Sequence, residues 1–169
     1  MKSIEEQMST YAAYHQDARN KATHFIGVPI IALSLFIPLA WPRLELGGVA
    51  ISAAMVLMAV FVVYYLALDI VLGLAMLIIF GVLLWAGERI AALGTTPGWI
   101  WFAVLFIGGW MLQLVGHVFE GRRPALVDNL FQSIFIAPLF LCAEAFFALG
   151  YKRQLHAAVQ ERAQRLRAG

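Results

Sequence analysis

A small set of polar side chains in a strongly apolar chain has the types and spacing to do chemistry: His15, His24, Gln113, His117, Glu120 and Glu144. Gln113, His117 and Glu120 are spaced four and three residues apart, so on a helix they share one face. Imidazole and carboxylate on that face, joined by imidazoles from the N-terminal segment, make a nitrogen and oxygen ligand set suited to a divalent first-row metal. The bland reading of each histidine is an interfacial side chain bonded to water or a lipid headgroup, and three together weigh against it. His15 and His24 lie nine residues apart, which on an unbroken helix puts them on opposite sides and about 13.5 Å apart along the axis. One ion can hold both only if the helix breaks between them. The break is expected near residues 20–23, where the helix meets the membrane; otherwise the two serve different centres. Glu144 lies inside an apolar run, where a carboxylate must be neutral, paired or facing a polar cavity. His156, in a basic tail without acidic company, keeps the bland interfacial reading.

These residues must be positioned by membrane elements. The chain has 169 residues, 62% of them hydrophobic and 13% charged, against about 45–50% and about 25% in soluble domains. At about 20 residues per crossing the length allows four or five spans and short ends, and no separate soluble catalytic domain fits. A net charge of +2 gives no argument for a nucleic-acid partner. The single cysteine, Cys142, forbids an internal disulfide and sits in an apolar run as a small hydrophobe. Acidic residues before the first apolar stretch argue against a secretory signal peptide.

Cutting at charges and turn residues leaves five apolar segments: 25–41, 46–68, 70–87, 99–116 and 130–151. Asp69 reads as an interfacial turn between the second and third, in preference to a buried functional acid. Pro29 and Pro38 predict a kink in the first. Ser3 and Glu6 have capping-box spacing, so 3–21 is expected to be helical, and 151–167 is helical in propensity, with basic residues suited to an anionic membrane surface. The predicted fold is all-α: a multi-span transmembrane bundle of about five apolar helical segments, interfacial helices at both ends, and a single integral membrane domain over 1–169. Lys2, Arg19 and Lys21 place the N-terminus on the cytoplasmic side, and Arg122 and Arg123 place the fourth loop there too. Five full crossings would then put the basic tail outside, against the positive-inside rule. Either the last segment turns back or an earlier one does not cross.

The run Tyr11-x3-His15-x4-Asn20-x3-His24-x2-Gly27-x-Pro29, together with Gln113-x2-Gly116-His117-x2-Glu120-x3-Pro124-Ala125 and then Ala137-Pro138 and Glu144, resembles the Mpo1-like family over nearly the whole chain. The resemblance implies a membrane-embedded Fe(II)-dependent dioxygenase that cleaves a 2-hydroxy long-chain fatty acid with O2 to the acid one carbon shorter, in fatty acid α-oxidation. It implies His15, His24 and His117 as iron ligands and Glu120 as a further ligand or proton acceptor. Asn20, Gln113 and Glu144 support the site, and Arg122 and Arg123 are candidates for holding the fatty carboxylate. The setting is a bacterial inner membrane or an endoplasmic reticulum, with the site on the cytoplasmic face among membrane lipids; a homo-oligomer is left open. Two other readings stand beside it: a membrane haem protein with two axial histidines, and a non-catalytic lipid-binding protein.

Overall fold

The structure, a computed structural model, describes residues 2–121 and 130–168. Helix α1 (Ile4–Ala12) starts as the capping pattern predicts, with the Ser3 hydroxyl accepting the Glu6 N–H at 3.1 Å. The expected helix over 3–21 is broken, and the break lies earlier than residues 20–23. The chain leaves the helix after Ala12, and α2 (Ala18–Leu39) begins at Asp17, whose carboxylate accepts the Arg19 N–H at 2.8 Å. Asp17 is a strong helix initiator, and its hydrogen bond from the Arg19 side chain holds its carboxyl down to about 2. A fresh start there ends the preceding helix without glycine or proline. Pro29 and Pro38 both lie within α2.

The segment expected to be apolar and helical over 46–68 is divided. Its beginning belongs to a hairpin of β1 (Arg43–Leu46) and β2 (Val49–Ser52), and among the described residues every other regular element is helical. Gly47 and Gly48 make the turn at φ +58° and +83°, the left-handed geometry that a two-residue hairpin turn requires and glycine supplies. Ser52 then caps α3 (Ala53–Leu68), accepting the Met55 N–H at 3.2 Å. Its hydroxyl also donates to Glu88 at 2.7 Å, and Glu88 pairs with Arg43. Asp69 is the turn residue that the sequence predicts: it ends α3 and caps α4 (Ile70–Ala91), accepting the Leu72 N–H at 3.0 Å.

Helix α5 (Thr95–Glu120) takes in the Thr95-Thr96-Pro97 run as its first turn and extends past 116 to Glu120. Beyond residue 130, a π-helical turn (Gln132–Ile136) leads into α6 (Ala137–Ala148), with Pro138 in its first turn, and α7 (Arg153–Ala168) follows. Among the described residues three helices are long and apolar enough to cross a membrane: α2, α4 and α5. Helix α3 and the apolar helix over 133–148 are shorter, about 24 Å each at 1.5 Å per residue. Two compact units are distinguished, one formed by 1–25 with 112–169 and the other by 26–111.

Within the first unit α7 packs against α1 and buries Val159 and Ala163. The two ends of the chain are therefore packed together. Basic residues of α7, expected to face lipid, are engaged in ion pairs: Arg162 with Glu6, Arg165 with Glu161 and Arg167 with Glu120.

Within the second unit α3 and α4 lie in close contact. A Cβ on Gly73 would fall 2.7 Å from the Leu66 backbone nitrogen, whereas one on Gly81 would meet nothing within 4 Å. Gly73→Ala is expected to lower stability by about 1–3 kcal/mol through overpacking, with Gly81→Ala unchanged or slightly stabilised; thermal unfolding of both variants in detergent checks the contrast.

Candidate metal centre

His15 lies in the turn between α1 and α2, His24 in the second turn of α2 and His117 in the last turn of α5. All three are buried, at 1%, 3% and 7% exposure. Their rings pack edge to face, with centroids 4.5 Å (His15 to His24), 5.0 Å (His15 to His117) and 5.1 Å (His24 to His117) apart. One nitrogen from each lies within 4.8 Å of the others. The helices approach this closely because residue 116 is glycine: a Cβ there would fall 2.2 Å from Thr23 Oγ1 and 2.5 Å from Asn20 Oδ1.

Backbone carbonyls fix the rings. His15 Nδ1 lies 3.0 Å from the Tyr11 carbonyl and His24 Nδ1 lies 2.9 Å from the Asn20 carbonyl. A carbonyl only accepts, so each Nδ1 carries the proton and donates. In the neutral rings both Nε2 atoms then bear lone pairs, and they face each other at 3.1 Å. Burial, reinforced by His24, pushes the His15 imidazole down to about 2, so it is neutral at ordinary pH. Tyr11 stacks on the outer face of His15 with centroids 4.1 Å apart. Two acceptors in contact repel unless a cation lies against both, and two nitrogens about 2.1 Å from one ion at a right angle are about 3.0 Å apart. The donor set fits a divalent first-row metal held by imidazole, with the ring protons donated outward as metal-binding histidines require. It does not fit haem, because three rings this close leave no slab for a macrocycle between any two.

Glu120 lies outside this nitrogen cluster. Its two oxygens accept the Gln16 N–H (3.1 and 3.0 Å), the Asp17 N–H (2.8 Å), Asn20 Nδ2 (3.1 Å) and Arg167 Nη1 (2.9 Å). It thereby ties the end of α5 to the turn that carries His15. Gln113, one turn before His117 on α5, is buried, and its amide nitrogen has no hydrogen-bond acceptor among the described residues. Glu144 pairs with Lys21 at 2.7 Å, and the Lys21 ammonium lies 5.8 Å from the centre of the Phe140 ring. Arg122 and Arg123 lie outside the described residues. His156 stacks on Phe147, with ring centroids 4.6 Å apart.

Sequence reasoning missed Lys21, Arg167 and the stacking role of Tyr11. Tyr11 and Lys21 each lie one helical turn from an expected ligand. Arg167 carries no local signal, since its partner is distant in sequence.

The family model described as 2-hydroxy-palmitic acid dioxygenase Mpo1-like matches residues 1–149. A relative from Saccharomyces cerevisiae, named 2-hydroxy-palmitic acid dioxygenase MPO1, is 34% identical over 161 aligned residues, covering 93% of this chain and 87% of the relative. No solved structure matches. A histidine cluster on these positions, with a match of this extent, makes the chain a member of the Mpo1-like family.

Proposed function

We propose that the protein is an Fe(II)-dependent dioxygenase that cleaves 2-hydroxy fatty acids to acids one carbon shorter. His15, His24 and His117 are its metal ligands. The observation that carries this reading is the contact of two unprotonated Nε2 atoms at 3.1 Å in a buried three-histidine cluster; the relative's printed name supplies the substrate class. Three imidazoles leave coordination positions for a bidentate 2-hydroxy acid and O2. Bound there, iron supplies the one-electron exchange with O2 that the organic acid alone does not undergo.

The remaining roles fall to the chain. Tyr11 and Asn20 hold the ring protons of His15 and His24 outward, which keeps both Nε2 atoms available. Gln113 directs an amide N–H at an oxygen of the bound acid. Lys21 and Glu144 hold a fixed pair of charges beside Phe140, and Arg122 and Arg123 attract the carboxylate. Glu120 positions the His15 turn. The N-terminal part of α2 and the C-terminal end of α5 both contribute to the cluster, so an even number of crossings separates His24 from His117. Helices α2, α3, α4 and α5 then make four crossings of one integral membrane domain, with α1, α7 and the site on the cytoplasmic face of an inner membrane or endoplasmic reticulum. The substrate's alkyl chain lies among the apolar helices.

With O2 as the sole oxidant, the atoms balance as R–CH(OH)–COOH + O2 → R–COOH + CO2 + H2O. Four electrons leave the two substrate carbons and reduce one O2, so no co-reductant is needed. Release of formate would require two further electrons. The protein with 2-hydroxypalmitate labelled at C1 is expected to give labelled CO2 without added reductant, one per O2 consumed; labelled formate contradicts the balance.

His117→Ala is expected to lose stoichiometric iron and to lower oxygen uptake with 2-hydroxypalmitate by more than about a hundredfold, since loss of a ligand exceeds the 10–100-fold effect of its supporting groups. Metal analysis beside an oxygen electrode checks it, and full iron with full turnover removes His117 from the site. Gln113→Leu is expected to keep its iron and raise KM about tenfold, the effect of one hydrogen bond to a charged group; steady-state kinetics on the iron-loaded variant check it.

A further inference from the structure

The Glu120 side chain is only 2% exposed, and among the described residues that donate to it Arg167 is the one that brings a positive charge. Arg167 stands near the end of α7, outside residues 1–149 that match the family. The same helix reaches the His15 turn at a second point, where Gln16 Nε2 donates to Gln160 Oε1 at 3.4 Å. Residues 160 and 167 are two turns apart, so one face of α7 lies against the turn.

We propose that Arg167 is a positioning residue for the metal centre: through Glu120 it holds the turn that presents His15, so that docking of α7 sets the affinity of the three histidines for metal. This rests on the proposal that the triad holds iron. The two N–H groups that Glu120 accepts belong to Gln16 and Asp17, the residues directly after His15. The turn is also held from its own side, by the His15 N–H and Gln16 Nε2 donating to the Ala12 carbonyl at 3.0 and 2.8 Å, but among the described residues Glu120 is the group that ties its Gln16 and Asp17 N–H groups to α5. A buried carboxylate is well held when a guanidinium shares it with neutral donors. Without that cation it is a buried anion on neutral donors alone, a costly arrangement. It then moves toward water and frees the turn. The apolar contact of Val159 and Ala163 still docks α7, so the fold survives while the ligand geometry loosens.

Co(II) alone is the probe, titrated anaerobically into the full-length apoprotein in detergent and read by its ligand-field absorption. Arg167→Gln is expected to weaken Co(II) binding about tenfold, the lower end of what groups supporting a metal ligand contribute. Its apoprotein should stay folded at the temperature of the titration, with an unfolding temperature lowered by the uncompensated Glu120 carboxylate. Arg167→Lys, which retains the cation, should recover most of the affinity. Arg165→Gln, which removes an equal charge paired with Glu161 on the surface, should leave it unchanged. In a Glu120→Gln background, Arg167→Gln should add nothing, because both changes act on one contact. Unchanged affinity in Arg167→Gln, equal losses in Arg167→Lys or Arg165→Gln, or a full loss that persists in the Glu120→Gln background overturns the proposal. A wild-type protein that binds neither Co(II) nor Fe(II) overturns the iron reading as well, which separates the two failures.

Discussion

Two imidazole nitrogens in contact at 3.1 Å, with their ring protons already committed to backbone carbonyls, impose a condition on everything around them. Lone pairs that face each other in a buried site repel, and a protein forms such a contact only if other interactions hold the rings there or a cation lies against both. Each neighbouring feature meets part of that condition. Breaking the helix after Ala12 turns His15 back toward α2. Asp17 restarts the helix so that the Asn20 carbonyl reaches His24 Nδ1, and Gly116 lets α5 come close enough to add His117.

Charge placement follows the same logic. Acids buried in an apolar chain are tolerated when paired and hydrogen-bonded, and removing one partner is then strongly unfavourable. Glu120 gathers backbone, amide and guanidinium donors, while Glu144 takes Lys21. Of the basic residues of the C-terminal helix, Arg167 serves as a partner to a buried acid, while Arg162 and Arg165 pair nearer the surface with Glu6 and Glu161. The site is consequently tied to both ends of the chain: α1 supplies the Tyr11 carbonyl and the stacked ring, and α7 supplies Arg167.

Much of this was legible in the sequence because it is local. The spacing of Gln113, His117 and Glu120 fixes one helix face, Ser3 and Asp69 read as caps, and membership of the Mpo1-like family follows from motifs whose residues stand in order along the chain. What was not legible depends on distant partners or on weak competition between local structures. A break between His15 and His24 was required by geometry, but its position was set by the capping strength of Asp17 and not by any glycine or proline. The hairpin at 43–52 was hidden because Val49–Ser52 runs into the apolar pattern of α3, so that Pro42-Arg43 and Gly47-Gly48 read as punctuation between helices and not as the start and turn of paired strands. Lys21 as the partner of Glu144, and Arg167 as the partner of Glu120, join positions more than 40 residues apart in sequence.

The central claim is that three imidazole nitrogens, and no protein carboxylate, bind the metal. Iron-edge X-ray absorption of the Fe(II)-loaded, substrate-free protein tests it directly. The account predicts three imidazoles per iron, seen as first-shell nitrogens with the outer-shell scattering of the rings, and the remaining positions filled by oxygen from water. A first shell containing one imidazole or none, or a bound carboxylate that disappears in Glu120→Gln, would contradict it.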